Sequence, residues 1–253
     1  MRCGLWKTDD ATMTVLDGFL SVFDGLFGAA AYPAAALMLA ASHALPSWPG
    51  VRPRLMAALG RAGFVTLYSL LSLAALALFV LAYRAADTAA VFPPPAWAAP
   101  LAVAAMPVAF TLIAWRLTAP FGPANDPHPP RGLYRITRAP GSLGLLLWAG
   151  LHLLATGDSR RLVLFATMAA IALFAIVKNG WVLHHADTEG ARRLRTAVQA
   201  VPFAAPASRR PAVWAAAARE TGPWRPLAAL AAWAAGLAAH PHVFGADPLF
   251  WLP

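Results

Sequence analysis

Gly63-Phe64-Val65-Thr66-Leu67-Tyr68-Ser69-Leu70-Leu71-Ser72-Leu73-Ala74-Ala75-Leu76-Ala77-Leu78-Phe79-Val80-Leu81-Ala82-Tyr83 is a run of 21 residues without one charge. Coiled at the standard helical rise it measures about 31 Å, the hydrocarbon thickness of a bilayer. A backbone in lipid must satisfy its own hydrogen bonds, so a lone run of this kind spans as a helix. Working outward, runs at 97–117 and 162–181 have the same character. Three others are less clean. The run at 19–43 contains Asp24 and Pro33, which leaves 27–45 as its useful part, while 141–156 and 224–243 have apolar cores of about 14 residues. Short spans are accommodated by low tilt or by drawing flanking residues inward. The expected fold is an all-α polytopic membrane bundle of about six transmembrane helices, with five spans or one re-entrant segment as the alternatives.

Composition agrees. Hydrophobic residues make up 59% of the 253 and charged residues 12%, against about 45–50% and about 25% in soluble domains. A soluble enzyme of this length would lack the charged surface that keeps it in water. The net charge of +9 does not indicate nucleic acid, because 18 of the 20 basic residues are arginines lying between apolar blocks. Numbered through six spans, 15 of them fall on one side and Arg2, Lys7, Arg84, Arg160 and Arg161 on the other. The positive-inside bias then places the richer side in the cytoplasm and both chain ends outside it.

Residues 1–18 read as a tail, and Asp9 and Asp10 argue against a secretory signal, with Met13 an alternative start. The segment 121–130 (FGPANDPHPP) carries four prolines and is an extended connector, and the polar stretch 184–221 reads as a cytoplasmic loop whose basic helix lies on anionic lipid.

Cys3 is the only cysteine, which excludes an internal disulfide, a cysteine zinc site and an iron–sulfur cluster. No nucleophile elbow, phosphate loop, dinucleotide fingerprint or carboxylate pair is present. Ser69 and Ser72 have no deep base beside them. Ionisable residues inside a span are costly and are functional candidates by default. His152 is the deepest, within Leu147-Trp148-Ala149-Gly150-Leu151-His152-Leu153-Leu154. Spacing alone leaves two roles open, a ring bonded to a neighbouring helix or an axial ligand of haem iron. His43 ends the first run as an interfacial residue. His128 lies in the connector, adjacent His184 and His185 point to different helix sides, and His240 and His242 flank Pro241 as cap or surface residues.

Three blocks together resemble the NnrU family of membrane proteins. They are His43 followed by Gly60-Arg61-Ala62-Gly63-Phe64-Val65-Thr66-Leu67-Tyr68, then Ile136-Thr137-Arg138-Ala139-Pro140 with Leu147 through Asp158, and lastly His240-Pro241-His242-Val243-Phe244-Gly245. The resemblance runs from about Pro33 onward. It implies a bacterial inner-membrane protein with an accessory role in denitrification, the production of nitrite and nitric oxide reductases. The same domain occurs in cis-ζ-carotene isomerase, so the resemblance also implies, as the alternative, a haem b-dependent isomerase of a lipophilic polyene. A cofactor-free membrane helper is the third reading. By motif position the haem ligands correspond to His43 and His152. The propionates are expected to pair with cytoplasmic arginines, Arg135 and Arg138 among them together with Arg52, Arg54 and Arg61. Two features stand against a simple transfer. Ala139 occupies the place of a family histidine, and His152 lies about 16 Å into its span whereas His43 lies near an end. A likeness of the Arg-x-Pro motif to isoprenylcysteine methyltransferases and sterol reductases is remote, because after residue 181 only Asp187, Glu189 and Glu220 precede the last span.

Overall fold

A computed structural model of the chain describes Gly18 and residues 30–119, 130–202 and 204–250. The described residues form eight α-helices, two short 3-10 turns and no strand beyond an isolated bridge between Ala90 and Asp158. The helices are α1 (Ala31–Ala44), α2 (Arg52–Ala85), α3 (Ala98–Thr118), α4 (Pro140–Ala155), α5 (Ser159–His185), α6 (Glu189–Ala197), α7 (Pro211–Thr221) and α8 (Trp224–Phe244). Two compact units divide the chain after Ala89.

The first unit is an antiparallel helix pair. On α1 the buried positions Tyr32, Ala35, Ala36, Leu39 and Ser42 follow the three-and-four spacing of one helical face. Tyr32 stacks on Phe79 at 5.4 Å, and eleven residues later His43 meets Tyr68 edge-on at 6.4 Å, which sets the opposed directions of α1 and α2. The expected run 63–83 lies inside α2, which begins earlier because Arg52 to Leu59 are helical as well. Gly60 separates the two parts with φ 67° and ψ 168°, a conformation that is essentially restricted to glycine. Residues 19–29 of the first expected span and residues 1–17 of the tail before it lie outside the described residues, as do residues 121–129 of the proline-rich connector with His128.

In the second unit α3 is central. Gly141 lies against Arg116 and Gly144 against Ala109, Leu112 and Ile113, whereas Leu151 joins Ala102 and Met106 in the core. Helix α4 therefore runs antiparallel to α3. At Gly144 the missing side chain allows the approach, since a Cβ would stand 2.7 Å from the Ala109 carbonyl; small residues bring membrane helices close in this way. Thr156-Gly157-Asp158 turns α4 into α5, with Asp158 capping α5 by accepting from the Arg161 N–H at 2.8 Å. Val91 N–H donates to the Gly157 carbonyl at 2.7 Å, so the 90–94 segment crosses this turn. Helix α8 returns antiparallel to α3: Arg225 Nε donates to Thr118 Oγ1 at 2.8 Å, and Trp233 Nε1 to the Val103 carbonyl at 3.0 Å.

Four helices, α2, α3, α5 and α8, are long and apolar enough to cross a bilayer. Helix α4 is apolar but has 16 residues, about 24 Å, and α1 has 14. Of the six expected spans, four thus correspond to helices long enough to cross, while α1 and α4 are shorter. Their outward faces are lipid-like: Leu67, Leu70, Leu73, Val108, Val177 and Leu227 are exposed, and α8 buries only Ala229. This much apolar surface is stable only against lipid or a partner.

The polar stretch 184–221 differs from expectation in one respect. A basic amphipathic helix is present as α6, yet Ala191, Leu194 and Val198 bury its apolar face against Leu183 of α5. Arg192 and Arg193 pair with Asp187 and Glu189. Arg195 donates to the carbonyls of Leu183, His184 and Ala186 at 2.8–2.9 Å, a cation closing the C-terminus of α5. This helix binds protein with the face expected to enter lipid.

Candidate functional site: the histidine of helix α4

His152 occupies the last turn of α4, half-buried, with its ring stacked on Phe165 of α5 at 4.4 Å and tilted against Trp148 at 4.9 Å. Trp148 itself meets Phe165 edge-on at 5.2 Å, so three rings from two helices form one aromatic group. The Nδ1–H donates to the Trp148 carbonyl at 2.8 Å. A carbonyl can only accept, so Nδ1 carries a proton, and in the neutral ring Nε2 keeps a lone pair. That is the tautomer a metal-ligating imidazole adopts. The bond alone is not diagnostic, because His43 and His185 make the same contact to the carbonyls of Leu39 and Trp181. What distinguishes His152 is its position between two apolar helices with an uncommitted donor atom.

The other expected site residues are distributed differently. His43 belongs to the first unit, half-buried at the end of α1, and lies 3.2 Å from Ser42 Oγ as well as against Tyr68. Arg135 is engaged: Nε and Nη2 reach the two carboxylate oxygens of Glu220 on α7 at 2.8 and 2.7 Å, and Oε2 also accepts from Gly132 N–H at 2.6 Å. Arg138 extends its guanidinium over Gly180 of α5, where the absent side chain leaves room. Neither arginine is brought to His152, which lies 12 residues beyond Pro140, about 18 Å along the axis. The basic residues at the histidine's own end are Arg160 and Arg161, five and four residues before Phe165 in α5. The sequence assigned these two only to topology. Their proximity follows from the tight 156–158 turn, which was legible as Thr-Gly-Asp but carried no sign of which ring would face them.

At the opposite end the entrance to α4 is closed by Thr137 rather than by a residue at 139. Thr137 is fully buried; its hydroxyl donates to the Ala200 carbonyl and accepts from Ala139 N–H at 3.1 Å. Ala139 itself contributes no titratable group at this entrance.

The Arg135–Glu220 pair holds the carboxyl of Glu220 below its ordinary value, chiefly through the bonds from Arg135, with Gly132 N–H assisting. A depressed folded-state pKa means that the contribution is complete above the unfolded value, about 4.3, and is lost as pH falls through the folded one. Glu220→Gln is expected to lower the thermal midpoint at neutral pH by an amount worth about 1 kcal/mol, bidentate but partly exposed as the pair is. The gap between variant and parent should close in acid. A gap that stays constant down to pH 3 would remove the carboxylate as its cause.

These features define a class, a polytopic α-helical membrane protein with an imidazole between apolar helices. The NnrU protein family model matches residues 33–248, and the chain belongs to that family. No curated protein and no solved structure matches it.

Proposed function

We propose that this chain is an inner-membrane accessory protein of bacterial denitrification, serving the production of nitrite and nitric oxide reductases, and that it acts through haem b anchored at His152. Family membership across nearly the whole chain supports the role. The donor chemistry of His152 supports the cofactor: a neutral imidazole with Nε2 available, flanked by flat rings in an apolar setting, fits an axial ligand of haem iron. The bound group would supply redox and ligand-binding chemistry; the chain's residues supply its axial nitrogen, its dry surroundings and nearby cations. By motif position alone, His43 would correspond to the family's other haem ligand.

The orientation rests on charge. In the second unit the C-termini of α3 and α5 and the N-termini of α4 and α8 share one end, and twelve of the unit's fourteen basic residues lie at that end. This end faces the cytoplasm, with the shorter α1 and α4 crossing by local adjustment of the bilayer. Reporter fusions after Arg84 and Arg195 test it, with a cytoplasmic signal expected at Arg195 alone.

Deleting the gene under denitrifying growth should lower nitrite and nitric oxide reductase activities together, with recovery on complementation. Unchanged reductases beside an altered ratio of polyene isomers would transfer the reading to the isomerase. The detergent-purified protein from haem-replete cells should show a haem b absorption spectrum. A colourless protein would remove the cofactor.

A further inference from the structure

From the break at Gly60 and the charge around it, we propose that residues 48–59 form an in-plane helix that docks on an anionic lipid surface. Its apolar arc enters the boundary between headgroups and acyl chains, and Arg54 and Arg61 meet lipid phosphates. The inference rests on α2 crossing the membrane and is independent of the haem.

The first support is that this part of α2 is not needed to cross the bilayer and is turned away from the part that does. The uncharged run 63–83 spans about 31 Å by itself. Residues 52–59 would add about 12 Å. Helical bonding starts earlier still, with Arg52 N–H donating to the Trp48 carbonyl at 2.9 Å and Leu55 N–H to that of Val51 at 3.0 Å. On a straight helix, positions 52 and 64 would stand about 18 Å apart along the axis, beyond the combined reach of an arginine and a phenylalanine. Yet the Arg52 guanidinium lies over the Phe64 ring at 5.8 Å. The two parts therefore meet at a sharp angle. Gly60 supplies it at φ 67° and ψ 168°, a region that a side chain all but excludes.

The second support is the pattern on the short helix. Trp48, Val51, Leu55 and Leu59 recur at intervals of three and four residues and so share one face. Trp48, Val51 and Leu59 are exposed at 53%, 36% and 43%, which leaves that face largely open. At 3.6 residues per turn, Arg52 and Arg54 flank the arc on opposite sides. A narrow apolar arc bordered by arginines is the form of a helix that lies in the interface, its apolar side inserted and its guanidinium groups held at headgroup level.

Charge names the occupant. Arg54 and Arg61 are exposed, and the ion pairs among the described residues include neither. No acidic residue occurs in the sequence from 25 to 86, and Asp87, the one acid among the unit's described residues, follows α2 at its other end. A purely apolar protein partner would leave the guanidinium groups unpaired. Anionic lipid offers apolar depth and phosphate oxygens at the same interface.

The test uses the full-length protein carrying Cys3→Ser, labelled with a polarity-sensitive maleimide dye at Leu55→Cys in the arc or at Ala57→Cys opposite it. Each is reconstituted into vesicles of phosphatidylcholine alone or of phosphatidylcholine with phosphatidylglycerol, and quenching by the neutral quencher acrylamide is read. With phosphatidylglycerol, the dye at position 55 should be quenched several-fold less than the dye at 57. The difference should shrink in phosphatidylcholine alone and at high salt, since each arginine near an anionic surface shifts the docked equilibrium roughly fivefold. Arg54→Gln with Arg61→Gln should reduce the phosphatidylglycerol result to the phosphatidylcholine one. Gly60→Ala, with helix content checked by circular dichroism, should raise quenching at 55 toward that at 57. Equal quenching at the two positions in both vesicles overturns the proposal. So does protection of position 55 that is the same with and without phosphatidylglycerol, which would assign the face to a protein contact.

Discussion

Gly132→Ala is expected to destabilise the second unit more than any other single added methyl group at its arginine-rich end. Gly132 sits at φ 53°, and a Cβ there would overlap the Trp115 ring. The ring cannot easily yield. Trp115 is buried in the last turns of α3, Arg225 of α8 lies over it at 4.6 Å, and Tyr134 meets it edge-on at 6.1 Å. The backbone cannot yield either without releasing the bond from Gly132 N–H to Glu220. Left-handed strain and overpacking together amount to about 3 kcal/mol. The measurement is the thermal midpoint in detergent by tryptophan fluorescence, with Gly150→Ala as the control. At Gly150 a Cβ meets nothing within 4 Å, and the added methyl favours helix by up to about 1 kcal/mol. Equal midpoints for the two variants would show that the 130s loop does not bear on Trp115.

His152→Phe is expected to abolish haem retention while leaving the apoprotein's thermal midpoint close to that of the parent. Phenylalanine keeps a flat ring between Trp148 and Phe165, where aromatic contacts contribute about 1 kcal/mol, but it offers no nitrogen. The variant loses one hydrogen bond to a helical carbonyl, worth about 1 kcal/mol. His152→Ala removes ring and ligand together and should lower both haem content and stability. The contrast between the two separates ligation from packing. A parental absorption spectrum in His152→Phe would release His152 from the iron.

Much of this fold is written in local features. The spans 97–117, 141–156 and 224–243 agree with α3, α4 and α8 to within one residue at each end. Their lengths follow from apolar composition alone, and caps such as Asp158 act on the next three residues. The run 162–181 is shorter than α5 because the helix continues through Ser159 to Arg161 and through Val182 to His185, where polar residues bound the apolar run. The candidate site was legible only in part. His152 is conspicuous as a polar residue in an apolar run, whereas nothing in the pattern shows that Phe165 of α5 stacks on it.

The sequence by itself determined the solvent, the helical class and the segregation of arginines, because each depends on counts and spacings along one segment. Only the tertiary structure decided which charges are committed and which rings pack against His152. Arg135 meets Glu220 across 85 positions of chain, and α6 spends its apolar face on α5 instead of lipid. Such pairings depend on how helices run past one another. That direction is set by packing at residues such as Gly144 and Trp233, whose partners lie tens of residues away and leave no mark in the local pattern.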